Sequence, residues 1–137
     1  MILKLILILI NLPVISQDKF IGSVERLSPE IDNLIEKSAK IEILADGFEW
    51  SEGPVWSSQL NSVLFSDVPE NVIYSWNEYK GLGTFTRPIG YSGKVPNLKK
   101  AGTNGLTIDA DGNLIICMHG DRKITRLEKL NINRKVT

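Results

Sequence analysis

Short apolar runs separated by turn residues fill the chain from residue 40 onward. In "KIEILADG", Ile41, Ile43 and Ala45 alternate with Glu42, Leu44 and Asp46, and Gly47 closes the run, which predicts a strand. "GPVWSS", "VLFSDV" and "VIYSWN" predict three more strands, with turns at "SQLNS" and "PEN". "TFTRPI" predicts another, and "GYSGKVPNLKKAGTN" reads as a long loop rich in turn formers. Strands resume in "GLTIDADGNLIICMHGDRKITRLE", where "DADGN" carries the chemistry of a tight hairpin. Upstream, "SPEIDNLIEKSAK" has Ser28 as N-cap, Pro29 at the first helical position and Glu30 in the first turn. Ile31, Leu34 and Ile35 have the spacing of one apolar helix face, so a short amphipathic helix is expected there.

Two segments repeat this order. "EGPVWSSQLNSVLFSDVPENVIYSW" overlays "NGLTIDADGNLIICMHGDRKITRL" at a spacing of roughly 51 residues, with one residue of slip in the first turn. Val63, Leu64 and Phe65 then align with Leu114, Ile115 and Ile116, and Val72, Ile73 and Tyr74 with Lys123, Ile124 and Thr125. A four-stranded antiparallel blade is the natural unit for that pattern, which makes the fold class all-β with a propeller-type repeat. Glu52 and Asn104 each precede a glycine at the start of an innermost strand. As blades around one axis, the two units would point both side chains into one channel. A carboxylate and an amide converging there resemble oxygen ligands for a hard divalent cation, which would offset the cost of a carboxylate in an apolar strand.

Plainer readings stand beside these. Glu52 could be a strand-end acid paired with a basic side chain, and Asn104 before Gly105 is a common turn pair. The only histidine, His119 in "MHGDR", follows a strand, where a loop could set it near substrate or merely use it for a loop hydrogen bond. Asp121 and Arg122 read as a turn residue and a paired or solvated charge, and Asp67 as an Asx-turn residue before Pro69. Asp109 and Asp111 read as hairpin-turn residues, because the twelve-residue calcium-loop pattern is absent. Trp50, Trp56 and Trp76 are expected to pack between sheet faces, and Cys117 to be a buried, inert thiol.

Composition narrows the classes. The 137 residues carry sixteen basic and sixteen acidic side chains, so no net field favours nucleic acid or a membrane surface. A single cysteine excludes an internal disulfide and argues against a structural zinc cluster. "MILKLILILINLPVISQ" has one lysine and then an apolar run shorter than the roughly 20 residues of a membrane span. It fits a secretory signal over residues 1–16, which predicts export to the periplasm or the medium; an uncleaved N-terminal anchor is the alternative. Residues 17–40 then form an extension carrying the short helix, and 41–137 the strand repeats.

"GFEWSEGPVW", "VLFSDVPENVIYSW", "GTNGLTIDADGNL" and "CMHGDRKITRLE" together resemble the N-terminal part of the senescence marker protein (regucalcin) and gluconolactonase family, nearest its bacterial lactonase branch. The resemblance implies a six-bladed β-propeller that binds a divalent metal, calcium or zinc, and opens lactones of sugar acids. It places Glu52 at the first metal-ligand position and Asn104 at an amide position that touches substrate or, in some relatives, the metal. Gly102 stands where some members have a substrate-binding arginine. Six blades need roughly 250 to 300 residues, and this chain supplies about two blades. The further ligands and the general base expected of the family would fall beyond Thr137, so no catalytic residue is assigned here. The expectation is an N-terminal segment of a metal-dependent lactone hydrolase, inactive alone. The rivals are a non-catalytic propeller segment used for binding, and a hydrolase of other, organophosphorus-type esters.

Overall fold

The computed structural model describes residues 20–93 and 102–128. The chain divides into two compact units, one up to Leu44 and one from Ala45 onward. The secretory-signal expectation and most of the predicted long loop lie outside the described residues.

The first unit departs from both elements predicted for it. Ser28 does cap, accepting a hydrogen bond from Glu30 N at 3.4 Å, but the element it caps is a five-residue 3-10 helix, Pro29–Asn33, with no buried residue. The Ile31, Leu34 and Ile35 face is incompletely covered: Ile31 and Ile35 are half-buried and Leu34 is 79% exposed. A short helix in water without tertiary packing has little to sustain it. Arg26 and Lys37 both pair with Asp32, which ties down this turn instead. The strand predicted over residues 40–47 is reduced to one antiparallel bridge between Phe20 and Glu42.

The second unit is all-β. Strands β1 (Ser51–Ser57), β2 (Ser62–Asp67), β3 (Val72–Asn77) and β4 (Gly81–Thr86) form one antiparallel meander. Strands β5 (Thr103–Ile108), β6 (Leu114–Met118) and β7 (Lys123–Leu127) form a second. The β4 strand starts three residues before the predicted run and ends ahead of Pro88, which has no N–H to continue the ladder.

The two sheets share one register. Ser51 faces Asp67 and Trp56 faces Val63; in the second sheet Thr103 faces Met118 and Ile108 faces Leu114. Each first strand then slips by one residue at a β-bulge, between Glu52 and Val55 and between Thr103 and Leu106. The repeat inferred from sequence is thus a repeat of pairing geometry, bulge included.

One face of each sheet meets the other. Leu64 and Ile73 from the first sheet pack with Leu114, Ile116 and Met118 from the second, and Val55, Leu106, Ile108 and Leu127 close the cluster. Burial of each large aliphatic side chain contributes roughly 1.5–3 kcal/mol. On the outer face of the first sheet Phe48 packs on Phe65 and Tyr74, with ring centroids 4.9 and 5.2 Å apart, and the rest of that face is partly exposed. Trp56 is 53% exposed and Trp50 47%, so the tryptophans do not all pack between sheets as expected. Cys117 is likewise exposed rather than buried, because the period of two that buries Ile116 and Met118 turns it to the outer face.

The hairpin at "DADGN" forms as predicted. The Asp109 carboxylate accepts hydrogen bonds from Asp111 N, Asn113 N and the Asn113 amide, and Gly112 adopts φ +84°. The Asn113 side chain chiefly, helped by these backbone donors, holds the Asp109 carboxyl below its usual range. A lowered folded-state value stabilises the fold above the ordinary carboxylate value of 3.8, and that gain is lost as pH falls through the lowered value. Asp109→Asn is expected to flatten the acid limb of a stability–pH profile below about pH 4 and to leave its neutral limb parallel to wild type. An unchanged acid limb would remove this role.

Candidate functional site

The two bulges lie against each other. Gly53 has φ +64°, and a Cβ there would stand 2.6 Å from the Asn104 carbonyl oxygen and 3.0 Å from Gly105 Cα and Leu106 N. Only glycine lets the β1 bulge approach the β5 backbone this closely. Ser66, which faces Glu52 across the β1–β2 pair, donates its hydroxyl to Asn104 O at 2.8 Å. Its oxygen also meets Thr103 Oγ1 at 2.6 Å. A carbonyl only accepts, so the Ser66 proton goes to Asn104 and the Thr103 hydroxyl donates to Ser66. Both hydroxyls are buried.

These contacts set the backbones that carry Glu52 and Asn104 side by side. Glu52 is half-buried, and among the described residues its carboxylate has no hydrogen bond or ion pair. Among the described residues the buried Asn104 Oδ1 has no hydrogen-bond partner. Leaving such an acceptor empty costs about 1–3 kcal/mol, so its orientation asks for a donor or a cation beyond the described residues.

Asn104 also borders a cleft of about 390 Å³ lined by Cys117, His119, Arg122 and Ile124 among others. His119 is exposed at its edge, on a turn held by His119 N to Gly102 O at 3.1 Å and Arg122 N to His119 O at 3.2 Å. Asp121 lies in that turn, as expected, and is in addition a paired charge: it accepts from Ser92 N and Ser92 Oγ at 2.9 Å and meets Lys123 at 3.2 Å. The Ser92 N–H, first among these, holds its carboxyl below the usual range against the opposing effect of burial.

Asp67 needs correction. It is not an Asx-turn residue but a buried carboxylate whose two oxygens accept Glu49 N and Trp50 N, each at 3.1 Å. It pins the chain entering β1, directly ahead of Glu52. Sequence reasoning also missed Ser66 and Thr103. The signal available was positional: Thr103 and Ser51 occupy the same place in the repeat, next to Asn104 and Glu52.

Residues 50–134 match the SMP-30/gluconolactonase/LRE-like region. This chain belongs to that family. It is 33% identical over 118 residues to a gluconolactonase of Zymomonas mobilis, covering 85% of this chain and 33% of the relative. The solved structure of a gluconolactonase from Xanthomonas campestris superposes with a TM-score of 0.60 at 25% identity, covering 85% of this chain and 33% of that one. The chain therefore spans about a third of the length of these gluconolactonases.

The metal generally used by the SMP-30/gluconolactonase family can be tested against the donors present. An unpartnered buried amide oxygen and an unpaired carboxylate suit a hard, oxygen-seeking cation. No group of three or more His, Cys, Asp or Glu side chains among the described residues is placed to hold a metal. Two oxygen donors suit a hard divalent cation in kind and supply only part of the 6–8 oxygens calcium takes.

Proposed function

We propose that this chain forms two blades of a six-bladed propeller that opens sugar-acid lactones with a divalent metal, and that it is exported to the periplasm or the medium. The observation that carries the reading is the buried Asn104 Oδ1, without a partner among the described residues, at the bulge that Gly53 presses against. Family membership supports the lactone class, since the gluconolactonases it matches are named for that reaction. The apolar run over residues 5–15 supports export.

Within the site, Glu52 and Asn104 Oδ1 would hold the cation, which supplies Lewis acidity toward a lactone carbonyl when bound. Asn104 Oδ1 carries no proton, so toward a sugar it accepts a hydroxyl hydrogen and orients the ring. His119, at the edge of the cleft, offers a second polar contact for the substrate. The Ser66 and Thr103 hydroxyls touch no ligand and position the Asn104 backbone. Gly102 stands where some relatives carry an arginine, and a Cβ there would meet Val68 O at 2.3 Å, so that substrate contact is missing or comes from elsewhere. No general base is assigned to these residues. One carboxylate and one amide fall short of a full coordination sphere, and the single chain is proposed not to turn over lactones.

Calcium titration by calorimetry on the folded chain tests the site. The expected result is weak binding, with a dissociation constant on the order of 10⁻⁴–10⁻³ M, lost in Glu52→Gln and in Asn104→Leu. Binding unchanged in Glu52→Gln would sink the metal role, and so would no binding by folded wild-type protein.

A further inference from the structure

Asn104 sits where strand pairing does not hold it. The register of β5 on β6 runs from Thr103 opposite Met118 to Leu106 opposite Ile116, and the bulge leaves Asn104 and Gly105 between them without a paired residue. Gly53 and Ser66 fix one side of this stretch. The peptide just ahead of it is gripped from elsewhere. Gly102 is buried, its N–H donates to Val68 O at 3.0 Å, and its carbonyl accepts His119 N at 3.1 Å. A Cβ on Gly90 would stand 2.3 Å from Gly102 C and 2.5 Å from Thr103 N, so the Gly90 backbone lies directly against that peptide.

Gly90 belongs to a segment braced between two turns of the same shape. Asn71 and Arg122, each the residue ahead of its strand, adopt φ +55° and +53° in the β2–β3 and β6–β7 turns. Their N–H groups donate to Val68 O at 3.3 Å and His119 O at 3.2 Å. On the first side Ile89 N donates to Asn71 O and Oδ1, both at 3.1 Å, and Asn71 Nδ2 donates to Tyr91 O at 3.3 Å. On the second side Asp121 N donates to Gly90 O at 2.9 Å. The Asp121 carboxylate accepts Ser92 N on one oxygen and Ser92 Oγ on the other, each at 2.9 Å. These two are the charge-assisted bonds of the brace, and such bonds are stronger than neutral ones.

We propose that Asp121 is a positioning residue for Asn104: it holds residues 90–92 against the Gly102–Thr103 peptide and so sets where the Asn104 side chain stands. Asp121 is not among the side chains that line the cleft beside Asn104, so it acts through the backbone. Its effect on the placement of Asn104 follows from these contacts alone; its effect on ligand affinity rests on the reading of Glu52 and Asn104 as a cation site. Lys123 supplies a control. Its ammonium meets Asp121 at 3.2 Å but is exposed, and an ion pair of that kind contributes little.

NMR of the whole chain reads the placement directly. In Asp121→Ala the Gly102 amide hydrogen is expected to exchange with solvent roughly tenfold faster. The Asn104 side-chain amide signals should shift, while the β2 and β3 amides keep their wild-type exchange. Asp121→Asn, which keeps one acceptor oxygen, should restore part of both changes. Ser92→Ala loses the hydroxyl bond alone and should show a smaller change in the same direction; Lys123→Ala should show none. Calcium added to wild type should move the Asn104 side-chain signals, and Asp121→Ala should need roughly tenfold more calcium for the same movement.

Unchanged Gly102 exchange and unchanged Asn104 signals in Asp121→Ala would overturn the inference. So would faster exchange spread evenly over both sheets, which marks a role in stability alone. Should Asp121→Ala fail to fold, Asp121→Asn and Ser92→Ala carry the same test with the same outcomes. Calcium that leaves Asn104 unmoved in wild type, with Asp121→Ala still displacing its signals, would end the cation reading and leave the positioning role standing.

Discussion

Alanine at Gly53 is expected to cost on the order of 3 kcal/mol. The new Cβ would stand 2.6 Å from Asn104 O and 3.0 Å from Leu106 N, all backbone atoms that cannot swing aside as a side chain would. The φ of +64° adds strain for any residue with a Cβ. The β1 bulge must then retreat from β5, breaking the Ser66 bond to Asn104 O that ties the sheets together. Gly105→Ala is the matched control. Its Cβ meets nothing nearer than Cys117 Sγ at 3.9 Å, and it is expected to stay within about 0.5 kcal/mol of wild type. Urea denaturation of both variants reads the difference in midpoint. Gly53→Ala should also abolish the proposed cation binding, since it moves Asn104 away from Glu52. Equal midpoints for the two variants would mean the close approach is not needed.

Removing the Asp67 carboxylate should be as damaging by a different route. In Asp67→Ala the Glu49 and Trp50 amides lose the charged acceptors that hold the entry to β1. Hydrogen bonds to a charged group contribute about 1.5–3 kcal/mol each, which puts the loss near 3 kcal/mol or more. Asp67→Asn keeps one side-chain oxygen and should lose roughly half as much. A small folded domain holds only about 5–15 kcal/mol in all, so the alanine variant should be conspicuous in thermal denaturation. Asp67→Ala within about 0.5 kcal/mol of wild type would show that β1 is held in place by other contacts.

Much of the strand region could be read along the chain. "VIYSWN" is β3 residue for residue, and "DADGN" folds into the hairpin its composition predicts. These signals are local: a two-residue period marks a strand, and Asp, Gly and Asn close a turn through their own backbone. The repeat was legible for the same reason, through matched runs such as Val63–Phe65 and Leu114–Ile116. The failures are residues whose fate depends on what lies across from them. "KIEILADG" alternates like a strand but pairs at one bridge only. "EIDNLI" has an apolar face that no residue buries fully. Trp56 and Cys117 sit on the faces that no second sheet covers among the described residues.

At the candidate site the division runs between single residues. Glu52 and Asn104 stood out by position in the repeat, and both fall at the bulges. Asp67 was misread because its partners, Glu49 N and Trp50 N, are backbone groups seventeen or eighteen residues earlier, invisible to a local pattern. Ser66 and Thr103 looked like ordinary strand polar residues until the sheets brought their hydroxyls to 2.6 Å.

The sequence by itself determined the strand class, the two repeated units, the hairpin at Asp109 and the pair of polar residues before glycine. Each rests on side-chain period and turn chemistry, which act over a few residues. Only the tertiary structure decided that Gly53 meets the Asn104 backbone, that Asp67 anchors β1, and which sheet faces are covered. Those depend on backbone groups and surfaces meeting across long stretches of chain, where a shift of one residue at a bulge changes every contact beyond it.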